Sequence, residues 1–163
     1  MITGDIAMPR FKRLVVPGCP HHITNRGNRR QLIFFSEEDK QFYLGLLHIY
    51  GTRYGLAFWA YCLMPNHIHL VVVPENLLSM HLTIREVHRR YSLYINLKMN
   101  WQGSLWQKRY YSFPLEDAHL YRAVRYVENN PVRAELVKTA ESYPWSSANA
   151  HVFGEPNILL SSH

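Results

Sequence analysis

The apolar run from Ile68 to Val73 is rich in β-branched residues and follows the breaker Pro65, a pattern that predicts a buried strand. Leu56 to Leu63 predicts a second strand, joined to the first by the turn Met64-Pro65-Asn66. The two should pair as an antiparallel hairpin at the sheet centre. Earlier in the chain, His21 to Asn25 reads as a short strand ended by the turn-prone Asn25-Arg26-Gly27-Asn28. Ser36 with Glu37, Glu38 and Asp39 is an N-cap signature. The helix it opens has Phe42, Leu46, Ile49 and Tyr50 as its apolar side, and Gly51 or Gly55 ends it. Beyond the hairpin, Ser79 should cap a long helix with Met80, Ile84, Val87, Tyr91, Tyr94 and Ile95 inward and Arg85, Arg89, Ser92 and Asn96 outward. Leu105 to Phe113 predicts a fourth strand. Glu116 and Asp117 open a third helix that Pro131 terminates or kinks, and a short helical segment starts at Val132.

The order β-α-β-β-α-β-α is that of a ferredoxin-like split βαβ pattern, an α+β antiparallel sheet. Such a fold hosts many functions, so the chemistry must come from particular side chains. A length of 163 residues with 47% hydrophobic content fits one domain, residues 1–163, with residues 1–12 as a loose arm and 151–163 as a tail. No apolar run is long enough for a membrane span. Cys19 and Cys62 are isolated, which fits a reduced cytosolic chain.

Charge changes the picture more than composition does. Residues 1–30 carry six Lys or Arg against Asp5, a net +5, and residues 87–115 carry Arg89, Arg90, Lys98, Lys108 and Arg109 with no acid, another +5; the remainder is −4 in a chain of formal charge +6. Both basic segments contain aromatics and amides, the make-up of a surface that tracks phosphates and stacks bases.

Alternation along a strand projects His67 and His69 to one face, where two imidazoles can hold one divalent ion and leave its other positions open. Spacing alone is weak evidence, since random placement of ten histidines gives about 0.6 such pairs in 163 residues. On the third helix Leu120, Val124 and Val127 form a core stripe, and Arg122, Tyr126 and Asn130 share another face. A phenol and an amide oxygen one turn apart can meet the same metal-bound phosphate, the phenol as nucleophile and the amide as ligand. Taken alone, Tyr126 could equally be a packing residue and Asn130 a C-cap.

Asn66-His67-Ile68-His69-Leu70 resembles the HUH motif (histidine, hydrophobic, histidine) of single-tyrosine transposases. Further segments narrow the likeness: His22 to Arg29, Met64 to His67, Leu105-Trp106-Gln107 and Arg125 to Ala134. Together they resemble the REP-associated tyrosine transposases over residues 8–150. One departure is Glu135, where a glycine is usual, which should affect a helix end and not the chemistry.

The resemblance implies His67 and His69 as metal ligands, Asn130 as a third ligand and Tyr126 as the nucleophile, with Tyr110, Tyr111 and Tyr121 as rivals. It implies helices on one face of the sheet and a C-terminal helix that carries the nucleophile. The expected activity is a metal-dependent strand transferase on single-stranded DNA with hairpins, which nicks and rejoins through a 5′-phosphotyrosine, using Mg²⁺ or Mn²⁺ and no nucleotide cofactor. Asn25, Arg26, Asn28 and Arg29 should contact DNA near the cut, while Arg89, Arg90, Lys108 and Arg109 track the hairpin backbone. Ligand imidazoles must be neutral, so activity should fall as pH drops through the ordinary histidine range. A bacterial cytoplasmic, nucleoid-associated protein, monomeric or homodimeric, would follow. The alternatives are a replication-initiator or relaxase-like nickase and a non-catalytic nucleic-acid-binding module, the latter needing aromatics exposed on the sheet face.

Overall fold

Local signals place most elements where the sequence predicts them. A computed structural model describes residues 13–161, so the expected arm over residues 1–12 and the last two residues of the expected tail lie outside the described residues. The elements are β1 (His21–Arg26), α1 (Glu37–Tyr54), β2 (Leu56–Met64), β3 (His67–Pro74), α2 (Ser79–Met99), β4 (Tyr111–Pro114), α3 (Asp117–Glu128), α4 (Asn130–Arg133) and α5 (Ala148–Phe153). The four strands form one antiparallel sheet in the order β2-β3-β1-β4, as a ferredoxin-like fold requires.

The β2-β3 hairpin is not at the sheet centre. Of its two strands β3 alone is central, because β1 takes its free side and leaves β2 at the edge. The outer edge of β2 is covered by later chain: Leu63 N–H donates to the Trp145 carbonyl (2.8 Å), Ser147 N–H to Tyr61 (3.0 Å) and Ser161 N–H to Phe58 (3.0 Å). These bonds satisfy backbone groups that would otherwise invite another strand.

Alternation gives the sheet two unlike faces. Ile23, Ile68, Leu70 and Val72 are fully buried on one face, where α1 and α2 pack together. His22, Thr24, Arg26, His67 and His69 lie on the other, by their shared cross-strand register. There α3 packs on β2 and β3 with Val127 buried beneath it.

Ser36 and Asp39 form a reciprocal capping box at the start of α1. Asp39 is fully buried and also accepts from Lys98 Nζ (2.6 Å) and Tyr94 Oη (2.9 Å), which ties α1 to the end of α2. The buried stripe of α1 differs from the expected one. Tyr43 and Leu47 are buried, while Phe42 is 39% and Ile49 56% exposed. Tyr43 wins the inward position because its ring packs edge-on against Tyr91 (5.0 Å) and its hydroxyl reaches His88 Nε2 (3.0 Å). Gly55, at φ 67°, ends the helix, whereas Gly51 lies inside it where a Cβ would strike the Phe58 ring. In α2 the cap position falls on Leu78, one residue before Ser79, whose hydroxyl instead accepts from Asn76 N–H (3.1 Å).

The fourth strand is shorter than predicted. Residues 105–110 form a loop, pinned by Trp106 stacked on His88 (3.8 Å between ring centroids) and by Arg13, which donates to the Tyr110 carbonyl and covers its ring. Glu135 occupies a left-handed conformation (φ 57°), the conformation that glycine adopts without strain.

Candidate active site

The register of the central strands assembles the site. Thr24 is opposite His69, Arg26 opposite His67, and across the other edge of β1, Tyr111 is opposite Thr24 and Phe113 opposite His22. The His67 and His69 rings are 5.0 Å apart, centroid to centroid. α3 crosses this face so that the Tyr126 ring lies 6.0 Å from that of His69 and 6.2 Å from that of His22. These groups line a cavity of about 990 Å³ that also takes in Lys108, Arg122 and Asn130.

One ring nitrogen of each histidine is left available as a donor to a ligand. His67 Nδ1 meets Asn66 Oδ1 at 2.7 Å, and because that oxygen can only accept, the proton sits on Nδ1 and the Nε2 lone pair stays free. His69 Nδ1 meets His22 Nε2 at 3.0 Å, and donation from His69 would free its Nε2 in the same way. Burial pushes His67 and His22 down to about 4, and His69 to about 3, with the charge of neighbouring Arg26 and Arg133 adding to the effect at His69. Protonation of the pair in the folded protein is thus displaced below the ordinary histidine range expected from sequence.

That displacement has a consequence for stability. The unfolded chain takes up protons near pH 6.5, while His22, His67, His69 and His88 (about 3, from desolvation) stay neutral in the fold. The unfolded state then binds more protons, so stability is full above pH 6.5 and drains as pH falls towards 4, by about 1.4 kcal/mol per pH unit for each fully desolvated imidazole. We expect thermal unfolding at pH 5 well below that at pH 7.5; equal midpoints at the two pH values would contradict these neutral histidines.

Asn130 is the first residue of α4, just past the break between α3 and α4. Its Nδ2 donates to the Tyr126 (2.9 Å) and Val127 (3.2 Å) carbonyls, so Oδ1 is the amide atom left to accept or to ligate. Arg133 lies over the Tyr126 ring at 4.6 Å. Among the described residues the cavity lining contains Arg26, Lys108 and Arg122 and no carboxylate. Among the described residues no cluster of three or more His, Cys, Asp or Glu could hold a metal. The donor set that fits a divalent ion is therefore an open one, two imidazoles and an amide oxygen, with charge neutralisation left to a bound anion.

The remaining candidates are dispersed. Arg26 and Lys108 line the cavity, and Asn28 and Arg29 form a single 3-10 turn just past β1. Arg109 follows Lys108 in the exposed loop. Asn25 also belongs to the cavity lining, but it is buried and its side chain bonds to the Lys108 carbonyl and to His88 of α2, which braces the loop. Arg89 and Arg90 are on α2, across the sheet from the cavity, and both pair with Glu86. Of the rival tyrosines, Tyr110 is buried, Tyr111 lines the cavity, and Tyr121 is 83% exposed beside Trp59 and Val124, outside it. His22, His119 and Arg133 are site residues to which sequence reasoning assigned no role, although His22 and Arg133 stand inside the motifs that carried the resemblance.

Comparison with known proteins gives the family and the fold. The family model "Transposase IS200 like" matches residues 15–130. The chain belongs to the IS200-like transposase family. The fold of this IS200-like transposase is also that of a REP-associated tyrosine transposase solved bound to a REP hairpin, with a TM-score of 0.72, 20% identity, and coverage of 96% of this chain and 93% of that one. A protein of Deinococcus radiodurans R1 assigned as a transposase is similar with a TM-score of 0.50 and 22% identity, over 74% of this chain and 97% of that one. Among curated proteins none matches the sequence significantly. Among the described residues no helix is long and apolar enough to cross a membrane.

Proposed function

We propose that this transposase is a divalent-metal-dependent strand transferase that nicks and rejoins single-stranded DNA beside hairpin repeats of the REP type. The observation that carries the reading is the convergence of Tyr126, His67, His69 and Asn130 on one cavity whose described charged residues are cationic. In this reading Tyr126 Oη attacks the scissile phosphorus. A tyrosyl–phosphate bond forms, the bond to the 3′-oxygen breaks, and that oxygen leaves as a hydroxyl after gaining a proton. The reverse step rejoins strands without ATP, because the phosphoester is conserved in the protein–DNA link.

His67 Nε2, His69 Nε2 and Asn130 Oδ1 would hold Mg²⁺ or Mn²⁺, which when bound polarises the phosphate and offsets charge developing on its oxygens. Lys108, Arg26 and Arg122 draw the backbone into the cavity, with Asn28, Arg29 and Arg109 at its approach. A part for Arg89 and Arg90 would require DNA to wrap to the other face of the sheet, where Arg85, Arg89 and Arg90 share the single carboxylate of Glu86 and stay net positive. The hairpin preference is supported by the fold shared with the REP-associated protein, and a bacterial cytoplasmic location would suit such a substrate.

The test uses one hairpin oligonucleotide labelled in turn on either side of the cut. With Mn²⁺ or Mg²⁺ a denaturation-resistant adduct should keep the label of the downstream segment and release the upstream one. An adduct carrying the upstream label, or none with any metal and hairpin, would refute the reading.

A further inference from the structure

We propose that Tyr111 and Phe113 on β4 form a stacking platform for unpaired bases flanking the scissile phosphate. This inference rests on the strand-transferase reading and adds to it a subsite for the nucleobases.

Alternation along β4 places both side chains on the same sheet face as the histidine pair. Tyr111 is 65% and Phe113 51% exposed, although each sits on a sheet whose opposite face is closed by α1 and α2. Adjacent large aromatics left open in this way mark a binding surface. Both line the cavity that holds Tyr126, together with Arg26, Lys108 and Arg122 and, among the described residues, no carboxylate, so the surface matches a ligand with flat apolar faces on a polyanionic backbone. Single-stranded nucleic acid has that chemistry.

The platform is also fixed relative to the catalytic groups. Phe113 packs edge-on against His22 (5.1 Å), which in turn bonds to His69 Nδ1 (3.0 Å). Tyr111, Thr24 and His69 form one row across three strands, so Tyr111 stands two strand spacings, roughly 10 Å, from the metal pair. That separation suits nucleotides next to the one being cut. His119 and Arg122 of α3 line the same cavity and supply a polar wall for the sugar-phosphate chain. Exposed sheet aromatics, which the sequence reading associated with a non-catalytic binder, here share the face with the histidine pair.

The test is fluorescence anisotropy with the full chain and no divalent metal. The probe is a hairpin oligonucleotide with a single-stranded flank, compared with the same hairpin carrying abasic sites in that flank. Stacking energies lead us to expect wild-type binding to weaken on the order of tenfold when the flank bases are removed. Tyr111→Ala with Phe113→Ala should bind the intact flank on the order of tenfold more weakly and show no further loss with the abasic one, whereas Tyr111→Phe should bind as wild type. Equal affinity of the alanine variant and wild type for the intact flank would overturn the platform, as would an undiminished abasic effect in that variant. If the alanine variant fails to fold, 2-aminopurine placed in the flank of the wild-type complex decides: quenching on binding supports stacking and unchanged brightness overturns it. Failure of the strand-transferase reading looks different, since it is the absence of a wild-type adduct and leaves the abasic comparison intact.

Discussion

Tyr126→Phe will form no covalent adduct with hairpin DNA while binding it as wild type does. The change removes one oxygen and keeps the ring that packs near His69 and under Arg133. The Tyr126 ring is 45% exposed and its hydroxyl makes no hydrogen bond among the described residues, so stability should change by less than about 0.5 kcal/mol. Adduct on a denaturing gel should fall below detection. Tyr121→Phe should leave adduct formation intact, because that ring stands outside the cavity. Asn130→Ala should fall between the two, since a water can replace an amide ligand at reduced metal affinity.

The second large effect concerns the imidazoles. His67→Ala and His69→Ala should each reduce strand cleavage by on the order of a thousandfold or more, the range seen when a principal electrostatic stabiliser is lost. Hairpin affinity should change little, because it comes mainly from phosphate contacts made by other residues. The two variants should differ in stability. Among the described residues the His67 side chain hydrogen-bonds only to its neighbour Asn66, whereas removing His69 takes away the hydrogen-bond partner of buried His22, at a cost of about 1–3 kcal/mol. Cleavage assays, anisotropy and thermal melts on the same preparations separate these effects. Cleavage retained in a folded His67→Ala protein would remove that residue from the ligand set.

What was legible in the sequence follows the range of each signal. The capping box at Ser36 and the alternation that pairs His67 with His69 are local, and both appear as read. The edge position of β2 was not legible, since hairpin pairing is local and says nothing of which strand takes the other side of β3. Tyr43 was missed in α1 because its inward place depends on Tyr91 and His88, contributed by α2. Likewise nothing near His22 announces a bond to a residue 47 positions away. Arg133 did leave a signal, two helical turns beyond Tyr126, and it lies over the Tyr126 ring although the helix breaks between them at Asn129. Charge counting by segment left out Glu86, one position outside the segment, which Arg85, Arg89 and Arg90 share and which offsets only part of their charge.

The central claim is that Tyr126 links to DNA, and tryptic mapping of the adduct tests it most directly. Cleavage after Arg109, Arg122, Arg125 and Arg133 puts Tyr110, Tyr111 and Tyr121 together in one peptide and Tyr126 in another that contains no other tyrosine. After nuclease trimming, the residual nucleotide mass should fall on the peptide Tyr126–Arg133 and on the tyrosine itself. Nucleotide mass on the peptide Tyr110–Arg122 instead would contradict the account.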